Sequence, residues 1–361
     1  MIISDIALNE NGKKMEAAWE DGHRASFHAI WLRDNCSCSE CLHSNGQKLT
    51  NIVDLPTAIN IASATFDDGG LHLVFAPDDH LSRFDAAWLR NFAAPTTPVQ
   101  LWDTETLSVA TLSRDYAKTH AIGLAEWLDL VVRYGCAVLR DSPREEGAVC
   151  KIAEWFGYVR ETNYGRLFDV KAIANPNNLA YTGMALPVHT DNPYRDPPPG
   201  LQLLHCLHNA VAGGDSILVD GFMAAKILRE EDKTHWQALS MNSVPFRFSD
   251  DSTDLRSRLP ILDVAPNGDM RAVNFNNRSI TALDIPDEDI PDYYAAYRHF
   301  AEILERPKLR LCFKLEDGDL FIVNNRRVLH GRESFKGGGT RHLQGCYADN
   351  DALLAKWRML I

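Results

Sequence analysis

Apolar positions along the chain change period several times, and each change marks an element. Tyr293, Tyr297, Phe300 and Leu304 recur at spacings of 4, 3 and 4, one face of an amphipathic helix that Pro307 ends. Beyond it the period falls to two. Leu309, Leu311, Phe313 and Leu315 alternate with Arg310, Cys312 and Lys314, which predicts a half-buried strand. Asp317-Gly318 then turns the chain into a further apolar run over 320–323. Upstream, helices are predicted over 124–134 and 147–156. Gly135 and Gly157 stop them, since glycine takes the left-handed conformation cheaply. The short run 136–139 reads as a buried strand.

The first ninety or so residues read differently. A strand over 27–32 leads into a cysteine cluster, a second strand covers 71–75, and a helix is expected over 81–92. The segment 93–98, rich in Pro and Thr, is the linker candidate. Two domains follow, 1–92 and 93–361. Gly337-Gly338-Gly339 reads as a loop between two strands, and no internal repeat is visible. Short strands, few helices and frequent Gly or Pro breaks predict a mainly β fold with flanking helices, an α+β chain built on a jelly-roll double sheet.

Bulk properties narrow the function. The 361 residues are 45% hydrophobic, enough for a large core. A net charge of −12 disfavours nucleic acid and anionic membrane surfaces, because both need clustered Lys and Arg. Neither a signal peptide nor a run of about 18 apolar residues is seen, so a cytoplasmic chain without a membrane span is expected. Of the eight cysteines, Cys36, Cys38 and Cys41 are clustered. Without a secretion signal the cluster reads as metal-binding and the others as buried thiols.

The chemistry centres on His189-Thr190-Asp191 and, far downstream, His330. In an extended segment residues 189 and 191 point the same way and Thr190 points away, so one strand end offers two ligands to one metal. With His330 they make the parts of a facial triad for ferrous iron, which leaves three positions for a chelating keto acid and oxygen. Arg341, eleven residues past His330, can pair with an acidic co-substrate. A chance His-x-Asp seldom binds metal; the ordered set is what carries this reading. In the cysteine cluster three thiolates need a fourth ligand for a closed zinc tetrahedron, and His80 and His43 are the candidates.

The chain resembles the γ-butyrobetaine hydroxylase and trimethyllysine dioxygenase family of 2-oxoglutarate-dependent dioxygenases. The resemblance rests on Trp31-Leu32-Arg33-Asp34-Asn35-Cys36, His189-Thr190-Asp191, Pro198-Pro199-Gly200, Leu203-Leu204-His205-Cys206 and Gly213-Gly214-Asp215-Ser216. It continues through Asn274-Phe275-Asn276-Asn277, His330-Gly331-Arg332 and Arg341-His342-Leu343, and spans about residues 19 to 349. It implies a double-stranded β-helix core behind a small zinc-binding, β-rich N-terminal domain, and a homodimer. It implies His189, Asp191 and His330 on Fe(II), and 2-oxoglutarate beside Leu204 with its distal carboxylate on Arg341. The co-substrate would be decarboxylated with O2 to succinate and carbon dioxide while an unactivated C–H bond is hydroxylated. It favours His80 over His43 as the fourth zinc ligand after Cys36, Cys38 and Cys41.

The resemblance also implies a substrate site. A trimethylammonium group cannot donate a hydrogen bond, so aromatic faces attract it through their quadrupoles. The corresponding residues are Tyr164, Phe168, Tyr181 and Tyr347, each of which read alone is an ordinary core aromatic. Asn178, Asn276 and Asn277 match positions at the substrate's anionic end, and Arg278 adds charge there. Leu167 stands where an acidic residue is expected, Phe168 where tryptophan is, and Asn192 and Arg195 differ from other members. The leading substrate is γ-butyrobetaine, giving carnitine. Extra arginines suit a more highly charged anion, 2-(trimethylamino)ethylphosphonate, and free trimethyllysine is third. A non-catalytic scaffold and a zinc hydrolase using the same three ligands are the readings from other classes. Succinate formation, and dependence on iron, oxygen and 2-oxoglutarate, separate them from a dioxygenase.

Overall fold

From residue 186 onward the chain crosses between two β-sheets at almost every turn. Leu186–His189 lies in the smaller sheet, Leu201–Asn209 in the larger and Ser216–Asp220 in the smaller. After a long insertion, Leu311–Phe313, Leu320–Asn324, Val328–Arg332 and Arg341–Ala348 continue the alternation. This is the winding of a double-stranded β-helix. The computed structural model describes residues 2–67, 69–92, 99–171, 183–336 and 339–361. They form two units, Met1–Thr96 and Thr97–Ile361. The linker candidate 93–98, Gly337, Gly338, Asn178 and Tyr181 lie outside the described residues.

In the second unit, strands pair antiparallel except for Ser113–Asp115, which runs parallel to Cys136–Arg140 at the edge of the larger sheet. Side-chain alternation sorts residues into layers. Val138, Cys206, Phe321, Val323 and Leu343 of the larger sheet meet Leu218, Leu311, Phe313 and Val328 of the smaller one between the sheets. The outer face of the larger sheet, Leu201, Leu203, Leu320 and Ile322, is covered by the helices Leu124–Tyr134, Ala148–Ala153 and Asn350–Leu360. Ile217, Val219 and Leu329 on the other side pack under Gly221–Glu231, Lys233–Met241 and Ile290–Leu304, all from the insertion.

A buried ion pair joins the start of this unit to its core. Arg327 donates through Nε and Nη2 to the two carboxylate oxygens of Asp220, at 3.0 and 2.8 Å. Its remaining donors reach the carbonyls of Arg133 and Gln100, and Asp220 also accepts from the amides of Trp102 and Phe222. With its donors placed this way the pair escapes most of the desolvation penalty that unpaired buried charges carry.

The first unit holds two three-stranded antiparallel sheets, Ile3–Asn9, Lys14–Trp19 and Arg24–His28, then Asn60–Asp67, Gly70–Ala76 and Leu81–Phe84. Their apolar faces share one core around Trp19, Leu32, Leu73 and Phe75. Among the described residues no helix is long and apolar enough to cross a membrane.

Several predicted boundaries move. The strand expected over 27–32 ends at His28, and Ala29–Asp34 is helical. The helix expected over 81–92 begins only at Ala86. Leu81 to Phe84 instead alternate exposed and buried against Gly70–Ala76, and Asp85 caps the helix by accepting from the Trp88 amide at 2.8 Å. Gly135 does close its helix in the left-handed region, at φ 77°. Gly157 does not, and the helix before it stops at Ala153. A Cβ at Gly157 would lie 2.6 Å from that of Ala352, so close approach explains the glycine there. The strand expected over 309–315 shrinks to Leu311–Phe313, because Pro307–Leu309 forms a 3-10 turn.

Among the described residues, His205 is one of several buried side chains with an unsatisfied polar group. It is fully buried on the outer face of the larger sheet, and neither ring nitrogen has a partner among the described residues. Burial pushes its pKa down from 6.5 to about 4. Between these values the unfolded chain takes up a proton that the folded chain refuses, so stability falls as pH drops through that window. His205→Leu is therefore expected to flatten the loss of melting temperature between about pH 7 and about pH 5, as followed by thermal unfolding; an unchanged slope would contradict this origin.

Candidate active site and metal centres

The antiparallel pairing of Leu186–His189 with Val328–Arg332 sets His189 directly opposite His330. Regular pairing would not also bring Leu186 to the inner face. A bulge does so: Leu186 faces Arg332 and His189 faces His330, so Pro187 and Val188 together oppose Gly331 alone. Gly331 is the seat of this bulge. A Cβ there would lie 2.6 Å from the Leu186 carbonyl oxygen and 3.0 Å from the Val188 nitrogen. The strand ends after His189, and Asp191 swings to the same side. His189 Nε2 is 3.3 Å from Asp191 Oδ1, and His330 Nε2 is 3.8 Å from Asp191 Oδ2.

Thr190 points away from this centre, as its place between the two ligands requires. It is held by the insertion. Its amide donates to the Phe275 carbonyl at 2.8 Å, its hydroxyl accepts from the Phe275 amide at 3.0 Å, and its carbonyl accepts from Asn276 Nδ2 at 3.0 Å. Asn325 clamps the next residue from the other side. It accepts from the Asp191 amide at 2.6 Å and donates to the Asp191 and Pro199 carbonyls, both at 3.0 Å.

The donor set fits a divalent cation. His189 Nδ1 lies 2.9 Å from the Pro187 carbonyl, which can only accept, so Nδ1 carries the hydrogen. Nε2 is then the ring nitrogen that faces Asp191 and is placed to bind a cation. Burial, followed by repulsion from His189, pushes His330 down to about 3, leaving it neutral. Burial alone would raise Asp191, but the His189 contact and the Tyr347 hydroxyl outweigh it and hold the carboxyl below its usual range. Two imidazole lone pairs and a carboxylate turned inward repel unless a cation lies among them, and two nitrogens with one oxygen are the donors of a ferrous facial triad.

The same cavity extends to two buried guanidinium groups, Arg332 and Arg341. Burial lowers the pKa of both, and their mutual repulsion lowers Arg332 further, to about 10. Arg332 donates to the Met184 carbonyl at 2.7 Å and lies over the Phe335 ring. Arg341 Nε has no hydrogen-bond partner among the described residues. This end of the cavity suits a carboxylate, and Leu204 lines it.

In the same cavity the rings of Phe168 and Tyr347 lie 5.2 Å apart, and those of Tyr164 and Phe168 6.4 Å apart. Phe168 sits over Gly345, where a Cβ would come within 2.5 Å of its ring. Tyr164 and Tyr194 share a hydroxyl contact of 2.9 Å, and Tyr194 donates to Asn192 at 2.6 Å. Arg278 reaches this cavity and has no side-chain hydrogen bond or ion pair among the described residues. Asn276 and Asn277 are placed differently from the direct substrate contacts expected of them. The Asn276 amide is spent on Thr190 and on the Arg278 backbone, while Asn277 accepts from Tyr297 and lines a separate cleft. Arg195 turns to Asn163.

Sequence reasoning missed Gln202 and Asn325, and it named Asn192 and Gly331 without the contacts that explain them. Gln202 had a signal: it is the one polar residue in the run Leu201-Gln202-Leu203-Leu204. Its Nε2 donates to Asp191 Oδ2, as does the Tyr347 hydroxyl at 2.8 Å.

The first unit brings Cys36, Cys38, Cys41 and His80 together. His80 Nε2 lies 3.2, 3.6 and 3.6 Å from the three sulfurs. Tetrahedral zinc with ordinary Zn–S and Zn–N bonds would set these separations at about 3.5 Å. Burial, then the charge of Arg33, lowers the His80 pKa, which favours the neutral ligand form. Arg33 donates to Cys41 Sγ at 3.3 Å and to Asp78 at 2.9 Å, so a guanidinium offsets thiolate charge. His43 is engaged elsewhere, accepting from the Asn45 amide.

Comparison with known proteins adds to this geometry. Residues 96–347 match the family model described as "Taurine catabolism dioxygenase TauD, TfdA family". Residues 6–90 match "Gamma-butyrobetaine hydroxylase-like, N-terminal". A gamma-butyrobetaine dioxygenase of Pseudomonas sp. (strain AK-1) is 35% identical over 95% of this chain and 92% of its own length. The gamma-butyrobetaine dioxygenase of Homo sapiens is 32% identical over 96% and 94%. The mitochondrial trimethyllysine dioxygenase of Mus musculus is 30% identical over 92% and 82%.

Zinc bound by the cysteine cluster contributes directly to folding. Cys38→Ser is expected to release zinc and lower the melting temperature of the N-terminal unit, and a chelator should do the same to the unaltered chain. Zinc content by atomic absorption, with differential scanning calorimetry, checks both.

Proposed function

The chain belongs to the TauD, TfdA family of dioxygenases, in the group with γ-butyrobetaine and trimethyllysine dioxygenases, and on that premise we propose that it hydroxylates an unactivated C–H bond of a small trimethylammonium compound. It is an Fe(II)- and 2-oxoglutarate-dependent dioxygenase that also carries zinc. γ-Butyrobetaine is the first candidate substrate, with L-carnitine as product. The observation that carries the reading is that Tyr164, Phe168 and Tyr347 line the same cavity as His189 and Asp191.

In this reading His189, Asp191 and His330 hold Fe(II), and Arg341 pairs with the distal carboxylate of 2-oxoglutarate. Bound iron with the keto acid supplies the oxidising power, one oxygen atom of O2 going to succinate and the other to the substrate carbon. The chain's own residues supply position. The aromatic faces take the trimethylammonium group by cation–π attraction. Arg278, whose side chain makes no hydrogen bond or ion pair among the described residues, takes the anionic end. Holding the cation and the anion at separate points fixes which carbon faces the metal, and that fixed geometry accounts for much of such an enzyme's rate. Tyr181 and Asn178 are assigned to the same substrate site by their sequence positions. A homodimer is proposed on the resemblance alone.

A second reading keeps the chemistry and changes the acid. Arg278 has no ion-pair partner among the described residues, Leu167 packs into the apolar layer beneath the helices where an acid was expected, and Asn192 adds a polar group to the cavity wall. A more highly charged anion would gain most from this wall, which favours 2-(trimethylamino)ethylphosphonate over trimethyllysine.

His189→Ala is expected to abolish turnover while the melting temperature stays near that of the unaltered chain; retained succinate formation would refute the assignment. Oxygen consumption with Fe(II), 2-oxoglutarate and a panel of trimethylammonium carboxylates, phosphonates and amino acids identifies the acid. Arg278→Met should raise KM for the preferred substrate by roughly ten- to a hundredfold, the size of a lost charge-assisted hydrogen bond, with KM for 2-oxoglutarate little changed. Equal effects on both constants would place Arg278 elsewhere in the reaction.

A further inference from the structure

The geometry points to Gln202 and Tyr347 as positioning residues that occupy the lone pairs of Asp191 Oδ2 and so leave Oδ1 as the oxygen free to bind the metal. This rests on the reading of His189, Asp191 and His330 as the iron ligands.

The two residues form one device. Gln202 and Tyr347 stand directly opposite each other on neighbouring antiparallel strands, so their side chains leave the sheet side by side on its inner face. Both are buried. Tyr347 donates its hydroxyl to Asp191 Oδ2 at 2.8 Å, and Gln202 Nε2 donates to the same atom. The amide orientation is set by chemistry, since a carboxylate oxygen can accept only from the nitrogen end. A carboxylate oxygen has about two lone-pair sites, and these two donors fill those of Oδ2. Oδ1, 3.3 Å from His189 Nε2, accepts from neither of these donors; Oδ2 lies 3.8 Å from His330 Nε2, but its lone pairs are taken.

The main chain removes the alternatives. Asn325 fixes the Asp191 amide and carbonyl, and Thr190 is tied to the insertion, so the aspartate cannot escape the latch by a backbone shift. Only the carboxylate can pivot, and Oδ2 is held.

The consequence concerns vacancies at the metal. A facial triad that uses one atom from each residue leaves three positions of six, two for the keto acid and one for oxygen. A carboxylate that gave both oxygens would fill the position oxygen needs. Gln202 and the Tyr347 hydroxyl thus protect the oxygen position through Asp191, while the Tyr347 ring face stays available to the substrate.

Mn(II), which does not turn over, is the probe. Crystal structures of the full chain with Mn(II) and 2-oxoglutarate should show one Asp191 oxygen on the metal in the unaltered protein and two in Gln202→Leu/Tyr347→Phe. The double variant should bind Mn(II) within about threefold of the unaltered affinity or more tightly, while kcat for iron-dependent oxygen consumption falls about tenfold or more and KM for 2-oxoglutarate holds. A merely structural role would give the opposite pattern, with weakened metal binding, a lower melting temperature and Asp191 still bound through one oxygen. That pattern, or an unaltered protein with both oxygens on the metal, overturns the proposal. If the double variant fails to fold, Gln202→Met and Tyr347→Phe are read singly by the same measurements. If the unaltered chain takes up no Mn(II), the iron assignment fails and the latch with it. If it does take up Mn(II), a contrary result counts against the latch alone.

Discussion

Three inward-facing ligand atoms gathered at a largely buried centre are the constraint around which the second unit is organised. Imidazole nitrogens and a carboxylate do not gather in this way by packing alone, because each loses hydration and gains a repulsive neighbour. The fold resists that repulsion with directional bonds. Pro187 fixes one ring, Asn325 and Thr190 fix the chain around Asp191, and two donors fix the far oxygen of its carboxylate. The arginine end and the aromatic end of the cavity are then placed by strand register, since Arg341 and Tyr347 lie on the inner face of the same strand.

Much of this was legible in the residues. The triad order, Arg341, the helix ended by Gly135 and the strand after it, and the alternation beyond Leu309 all follow from spacing. Such spacing reflects local geometry that a short window of sequence contains. The α+β class with a jelly-roll core followed from many short strands. The cysteine cluster announced a metal, because three thiols within six residues have few other uses in such a chain.

What stayed hidden depends on contacts between distant residues. The bulge opposite Gly331 is a register irregularity that no periodicity reveals; the glycine is visible, its reason is not. Gln202 reads as a stray polar residue until strand pairing sets it beside Tyr347. Asn276 and Asn277 matched family positions, but which way an amide points is a tertiary fact, and here one serves the ligand strand and the other a tyrosine. In the first unit the apolar residues from Leu81 to Phe92 satisfy a helical and an alternating pattern alike. Pairing with Gly70–Ala76 and the cap at Asp85 decided between them.

The winding of the chain between sheets also bears on when each metal site can exist. Cys36, Cys38 and Cys41 sit in one loop, and His80 arrives from the next sheet, so this cluster forms from short loop closures and can template its surroundings early. The iron ligands come from strands separated by the whole insertion, whose helices must pack before Val328–Arg332 meets Leu186–His189. Closing so long a loop is entropically costly and is recouped only when the sheets are nearly complete. Zinc is therefore placed to act as a nucleus for folding, and iron as a ligand of an already finished protein.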